Sequence, residues 1–225
     1  MKRYIKADIT DLLEEPEYLQ EEFACDPDTR PRVLDELSRS KYTIVRIHVA
    51  ANPSTPADIL ARMANDEDET VKIYVGTNPN TPLDVIMDIY ANGSKKVIDY
   101  VGDFLEDLAW DSEDKDILSA LSHCISATVR MSVARNEDTP GEALIELSKD
   151  DSARVVLEAV CNPSMPVDYI REMAKSDDYI LRYGAAYNKS TPIDVVEMLA
   201  DDPNDDVKRT AMRSLERLYY QRDKA

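Results

Sequence analysis

Apolar residues fall along this chain in two alternating patterns of helical spacing. In one, Ile59, Leu60, Met63 and Ala64 recur three and four positions apart, which marks one face of a helix. That run follows Thr55-Pro56-Ala57-Asp58 and ends at the polar stretch Asn65-Asp66-Glu67-Asp68. In the other, Val45, Val49 and Ala50 share a face, and the run closes on Asn52-Pro53. Their counterparts are Val71/Val75/Gly76, Val129/Val133/Ala134 and Val155/Ala159/Val160. The pattern predicts a helix of roughly ten residues from each Thr-Pro phrase, too short to persist alone in water. It predicts a second helical segment of about two turns before each Asn, α or 3₁₀, which spacing does not separate. Small residues such as Ala50 after Val49 imply close approach between neighbouring units.

The two patterns return together every 26 residues. Units begin at Leu19, Val45, Val71, Val97, Val129, Val155, Leu181 and Val207, and only the step from Val97 to Val129 departs from the period, at 32 residues. A constant period of this length means stacked supersecondary units. The expected organisation is one helical-repeat domain over 1–225. It has an N-terminal cap at 1–18, seven repeats at 19–206 with an irregular unit at 97–128, and a partial repeat and C-terminal cap at 207–225. Extra residues of this kind enter connections or lengthen a helix without destroying a stack.

The Thr-Pro phrase carries three signals of a helix start. Thr55 is placed to cap free amides. Pro56 suits the first helical position, where a missing N–H costs nothing. Asp58 brings a carboxylate to the positive helix end. Thr81-Pro82-Leu83-Asp84, Thr139-Pro140-Gly141-Glu142 and Thr191-Pro192-Ile193-Asp194 repeat the arrangement.

Two polar columns run through the units. Asn52, Asn78, Asn136, Asn162 and Asn188 occupy one position, with Asp26 in the first unit. Five asparagines in one column invite a reading as a ligand ladder, but an Asn side chain also bonds its own nearby backbone and ends a helix before Pro, and that structural role is preferred. Arg46, Lys72, Arg130, Arg182 and Lys208 form the second column. Asp66, Asp150 and Asp202 stand opposite it in the turns, and the expected role is ion pairing between units.

Composition narrows the functions. With 45 acidic and 27 basic residues the formal charge is -18. Such a field repels phosphate backbones, so direct nucleic-acid binding is disfavoured and a basic protein partner favoured. Cys25, Cys124 and Cys161 form no CxxC pair. Cys25 and Cys161 are expected as small core residues, and a reducing, cytoplasmic setting is expected. No apolar run is long enough to span a membrane.

Catalytic and metal chemistry find little support. His48 and His123 sit in different units and at different repeat phases, so no periodic geometry joins them. Zinc sites need three or four ligands and a Ser-His-Asp set needs a placed histidine. The acidic clusters lack calcium-loop spacing. No catalytic residue, metal ligand or cofactor is expected, and the chain is read as non-enzymatic. The aromatics are more suggestive. His48, Tyr74 and Tyr100 share one repeat column, while Trp110 and Phe104 lie in the irregular unit. Tyr and Trp suit interfaces, where they combine large contact area with a polar handle. These five are the candidate partner-binding residues.

The phrase Val45-Arg46-x-x-Val49-Ala50-x-Asn52-Pro53-x-Thr55-Pro56-x-x-Ile59-Leu60 resembles the variant leucine-rich repeat family, which is related in look to HEAT and armadillo-type helical repeats. The resemblance covers about Leu19 to Ser214. It implies an all-α, right-handed superhelical solenoid in which an α-helix alternates with a 3₁₀ helix. The family's founding type carries a cysteine cluster for an iron–sulfur centre; this chain has none, so that function does not carry over. The resemblance implies a scaffold or interaction role. The alternative weighed beside it is an acidic mimic of DNA that inhibits a nucleic-acid-binding protein. Oligomeric state is left open.

Overall fold

The computed structural model describes residues 9–222. Residues 1–8 of the expected N-terminal cap and residues 223–225 of the tail lie outside that range. A 3₁₀ segment, Ile9–Glu14, precedes fifteen α-helices, and there is no strand among the described residues. The helices are α1 (Glu17–Cys25), α2 (Pro31–Leu37), α3 (Thr43–Ala51), α4 (Ala57–Met63), α5 (Glu69–Gly76), α6 (Leu83–Asn92), α7 (Lys95–Asp111) and α8 (Lys115–Leu121). They continue as α9 (Ala127–Arg135), α10 (Gly141–Leu147), α11 (Ala153–Cys161), α12 (Val167–Met173), α13 (Tyr179–Tyr187), α14 (Ile193–Leu199) and α15 (Asp205–Arg222). Odd-numbered helices from α3 onward carry the Val phrase, with Leu181 in place of Val in α13; α4, α6, α10 and α14 follow the Thr-Pro phrase, and α12 follows Met165-Pro166.

The chain divides into two compact units, one ending at Phe104 and one beginning at Leu105. In the first, α1, α3 and α5 pack side by side in series, with α2 and α4 laid against them. In the second, α9, α11, α13 and α15 form the series, and α10, α12 and α14 pack on it. Each unit is thus a helical solenoid whose core is a row of repeat positions. Val45, Val49, Ala50 and Leu60 are fully buried, and so are Val129, Val133, Ala134 and Leu144. Each buried Val or Leu contributes about 1.5–3 kcal/mol relative to exposure, which holds helices of seven to nine residues that have little stability of their own.

Both members of the repeat are α-helical, so the α and 3₁₀ alternation implied by the resemblance is not what the chain adopts. α3 starts at Thr43, two residues ahead of Val45, and spans nine residues. That length accommodates i to i−4 bonds such as Arg46 N to Tyr42 O at 3.2 Å, whereas 3₁₀ runs rarely exceed three or four residues.

The Thr-Pro phrase also works differently from the capping expectation. Pro56 itself stands at the N-cap of α4, with φ −63° and ψ 151°, and no side chain caps the helix. Thr55 is fully buried and turned backwards, its hydroxyl donating to the Val49 carbonyl at 2.6 Å. The same backward bond joins Thr29 to Phe23, Thr81 to Val75, Thr139 to Val133 and Thr191 to Ala185. The reason is the deficit of donors at a helix C-terminus, where the last four carbonyls have no partner inside the helix. The C-cap amide supplies one donor, as Asn52 N does to Val49 O at 3.2 Å, and the threonine six residues on from that carbonyl adds a second.

Two odd helices outrun the repeat. α7 has 17 residues and α15 has 18. Counting 26 residues on from Asn78 gives Phe104, and from Asn188 gives Ser214. Neither ends its helix, so the added residues of the irregular unit lengthen α7. The described part of the stretch expected to cap the C-terminal end lies in α15.

Candidate functional site

The asparagine column is internal structure on two counts. Each side-chain oxygen accepts the backbone N–H two residues on, as Asn162 does from Ser164 at 2.8 Å. That is the local turn expected of Asn. Each side-chain amide also reaches into the preceding repeat: Asn162 donates to the carbonyls of Ala134 and Asn136, both at 2.8 Å. Asn52 donates to Ala24 and Asp26, Asn78 to Ala50 and Asn52, and Asn188 to Val160 and Asn162. Asn136 shares its amide among the carbonyls of Ala109, Trp110 and Ser112. All five asparagines are buried. Sequence reasoning missed this inter-repeat ladder, yet a signal was present. The one carboxylate in the column, Asp26, stands in the first unit, and its Oδ1 only accepts from Asp28 N at 2.9 Å.

In the basic column, three arginines form bidentate pairs. Arg46 meets Asp66 at 2.7 and 3.1 Å, Arg130 meets Asp150 at 2.6 and 3.0 Å, and Arg182 meets Asp202 at 2.7 and 3.2 Å. Each also donates to a carbonyl just ahead of its own helix, such as Arg46 to Ser40 at 2.9 Å. Every partner lies 20 residues downstream, within the repeat that supplies the arginine, so the pairing is internal to a unit and not between units. Lys72 has no such carboxylate, because position 92 is Asn. The Arg130 guanidinium holds the Asp150 carboxyl below its ordinary pKa, and Arg182 does the same for Asp202.

The candidate aromatics behave differently from these columns. His48 on α3 is half-buried, with Nε2 3.2 Å from Glu21 Oε1. Tyr74 on α5 is 41% exposed and Tyr100 on α7 is 58% exposed. These three occupy one outward column of the first unit. Phe104 is half-buried, and Trp110, 58% exposed, is in the second unit. Cys25 is exposed and Cys161 half-buried, contrary to their expected core role, because the residue just before the Asn faces outward on its helix. Ala51 is likewise exposed.

A shallow cavity of about 540 Å³ in the second unit is lined by Ser122, His123, Cys124, Arg130, Glu146 and Asp150 among others. Its chemistry is already committed. Arg130 and Asp150 neutralise each other, burial pushes the Cys124 thiol pKa up, and His123 sits in the open 3.5 Å from Glu146. Burial likewise raises the Cys161 thiol to about 12. Among the described residues no group of three or more His, Cys, Asp or Glu side chains is gathered as metal ligands. No described helix is long and apolar enough to cross a membrane.

The fold and its internal ladders define a helical-repeat protein of the solenoid class. The comparisons agree. The family model described as Leucine rich repeat variant matches residues 45–68. The chain is similar to a solved structure described as a leucine-rich repeat variant with a novel repetitive protein structural motif. The identity is 21%, covering 88% of this chain and 81% of that one, with a TM-score of 0.51. That likeness shows the fold. Other structural matches are an engineered protein, at 16% identity, 94% and 77% coverage and TM-score 0.39, and a designed armadillo repeat protein in complex with the peptide (KR)4, at 16% identity, 92% and 97% coverage and TM-score 0.22. No curated protein is a significant match.

Proposed function

We propose that the chain is a non-catalytic scaffold that binds a basic protein partner, with the His48, Tyr74 and Tyr100 column of the first unit as its recognition face. One observation carries this reading. The recurrent asparagines, threonines and arginines are consumed by bonds that hold the repeats, whereas this column changes residue from repeat to repeat and exposes two tyrosines. Exposed tyrosines supply contact area at low conformational cost. The charge of -18 favours a cationic partner whose affinity falls with salt. Free cysteines fit a cytoplasmic setting.

The test is affinity capture on immobilised protein, comparing the native sequence with the Tyr74→Ser/Tyr100→Ser variant. A basic protein retained at low salt, released by salt and lost from the variant is the expected result, with the variant's melting temperature unchanged. Identical capture by both proteins, or retention indifferent to salt, overturns the reading. Capture of a protein that is also displaced by duplex DNA would favour the nucleic-acid mimic in its place.

A further inference from the structure

The negative charge of the chain is unevenly placed. In the second unit the even helices α8, α10, α12 and α14 carry seven Asp or Glu against two Lys or Arg. The odd helices α9, α11, α13 and α15 reverse this, with nine basic residues against four acidic ones. At the end of the odd series a cavity of about 160 Å³ is lined by Tyr183, Tyr187, Thr210, Arg213, Ser214 and Arg217. No carboxylate lines it.

Its geometry follows from the repeat. Tyr183 and Tyr187 lie one turn apart on α13 and stack, with ring centroids 6.2 Å apart and planes at 12°. Arg213 comes 26 residues after Tyr187, so α15 sets a guanidinium at the equivalent position of the next repeat. Arg217 follows one turn on. Ser214 is occupied, donating to the Ala186 carbonyl at 2.8 Å. The arginines are not. Arg130, Arg135, Arg171, Arg182 and Arg209 in this unit each have a carboxylate partner, whereas Arg154, Arg213 and Arg217 have none among the described residues, and Arg213 and Arg217 both line this cavity. Like charges one helical turn apart cost stability, and a bound anion relieves that cost.

We propose that this cavity binds acidic side chains of a protein partner, as a short peptide segment in which Glu or Asp residues flank an aromatic or aliphatic residue. The two guanidiniums take the carboxylates with charge-assisted bonds. The exposed face of Tyr187 takes the apolar residue. A nucleic-acid strand fits less well, because it presents a phosphate at every nucleotide and needs a longer run of cations than these two. The site lies in the second unit and does not depend on the first-unit column.

The test is fluorescence anisotropy on the full chain with a labelled hexapeptide of five glutamates and one phenylalanine. Binding that weakens with salt is expected. Arg213→Glu/Arg217→Glu should lower affinity at least about tenfold and Tyr187→Ser several-fold, with melting temperatures unchanged. Equal affinity for the peptide with glutamine in place of glutamate, undiminished binding by the arginine variant, or no binding by the native chain would overturn the proposal. So would tighter binding of a thymidine decamer, or displacement of the peptide by equimolar inorganic phosphate. Because the Tyr74→Ser/Tyr100→Ser variant leaves this cavity intact, it should bind the peptide normally, which keeps the two readings separable.

Discussion

The side-chain amide of Asn162 donates to the backbone carbonyl of Asn136, 26 residues earlier, at 2.8 Å. One repeat is therefore hydrogen-bonded to the previous one through the residue that ends its own odd helix. With Ala134 O as second acceptor, Asn162 satisfies two buried carbonyls of its predecessor.

Asn162→Ala should thus destabilise the protein by about 2–4 kcal/mol, since it removes the donor to the buried Ala134 carbonyl, one of two donors to Asn136 O, and a local turn bond. Asn162→Asp should be worse at neutral pH, because a carboxylate would face two carbonyl oxygens. By contrast Asp26→Asn should shift stability by less than about 0.5 kcal/mol, the range of an ordinary surface change. Urea denaturation of the three variants checks the series; equal effects at positions 26 and 162 would contradict the ladder.

The backward bond from Thr139 to Val133 O, at 2.6 Å, separates two roles for threonine. Thr139→Val keeps the shape and loses the hydroxyl, and should cost about 1–2 kcal/mol. Thr139→Ser keeps the donor and should cost less. If α10 were capped by Thr139, amide exchange would quicken at the start of α10 in the Val variant. The expectation is quicker exchange at the end of α9 and the Asn turn, with α10 unchanged.

Gly184 reports how closely α13 approaches α11. A methyl group there would overlap Val160 Cγ2 and crowd its Cβ. Gly184→Ala is expected to destabilise by about 1–3 kcal/mol despite the better helix propensity of Ala. Val160→Ala should partly rescue it, giving a coupling energy above about 0.5 kcal/mol in a double-mutant cycle. Additive losses would mean that the contact does not control the packing.

Acid sensitivity should trace to the bidentate pairs. Asp150 and Asp202 have folded pKa values held down by Arg130 and Arg182. A depressed carboxyl contributes stability that is fully present above its unfolded pKa and lost as pH falls through the folded value. Asp150→Asn/Asp202→Asn should therefore be less stable at neutral pH yet lose less between about pH 5 and pH 3, converging on the native protein in acid. Melting curves that stay parallel across that range would refute the assignment.

Much of the architecture was legible because it is local and periodic. The spacing of Val45, Val49 and Ala50 and of Ile59, Leu60 and Met63 defines helix faces irrespective of neighbours. The direction of the polar bonds was not. Thr55 suits a cap by composition, but Pro56 takes the N-cap of α4 and the buried Thr55 hydroxyl turns back to the Val49 carbonyl as its second donor. The partners of Asn162 lie in another repeat, where spacing alone does not show that carbonyls converge. The charge sign of the surface was read as one number, -18, and the contrast between odd and even helices became visible once faces were assigned. The irregular unit was visible as a broken period; in the structure α7 runs on past Phe104, which stands in the asparagine register without an amide.

The ladder has a direction. Every Asn amide points back to the repeat already made, so each repeat is completed by its successor and not by its predecessor. A chain cut after α9 and α10 would leave the carbonyls of Ala134 and Asn136 without the Asn162 amide, while one starting at Asn52 would merely leave an idle donor. On the ribosome, then, folding of this chain should trail synthesis by one repeat.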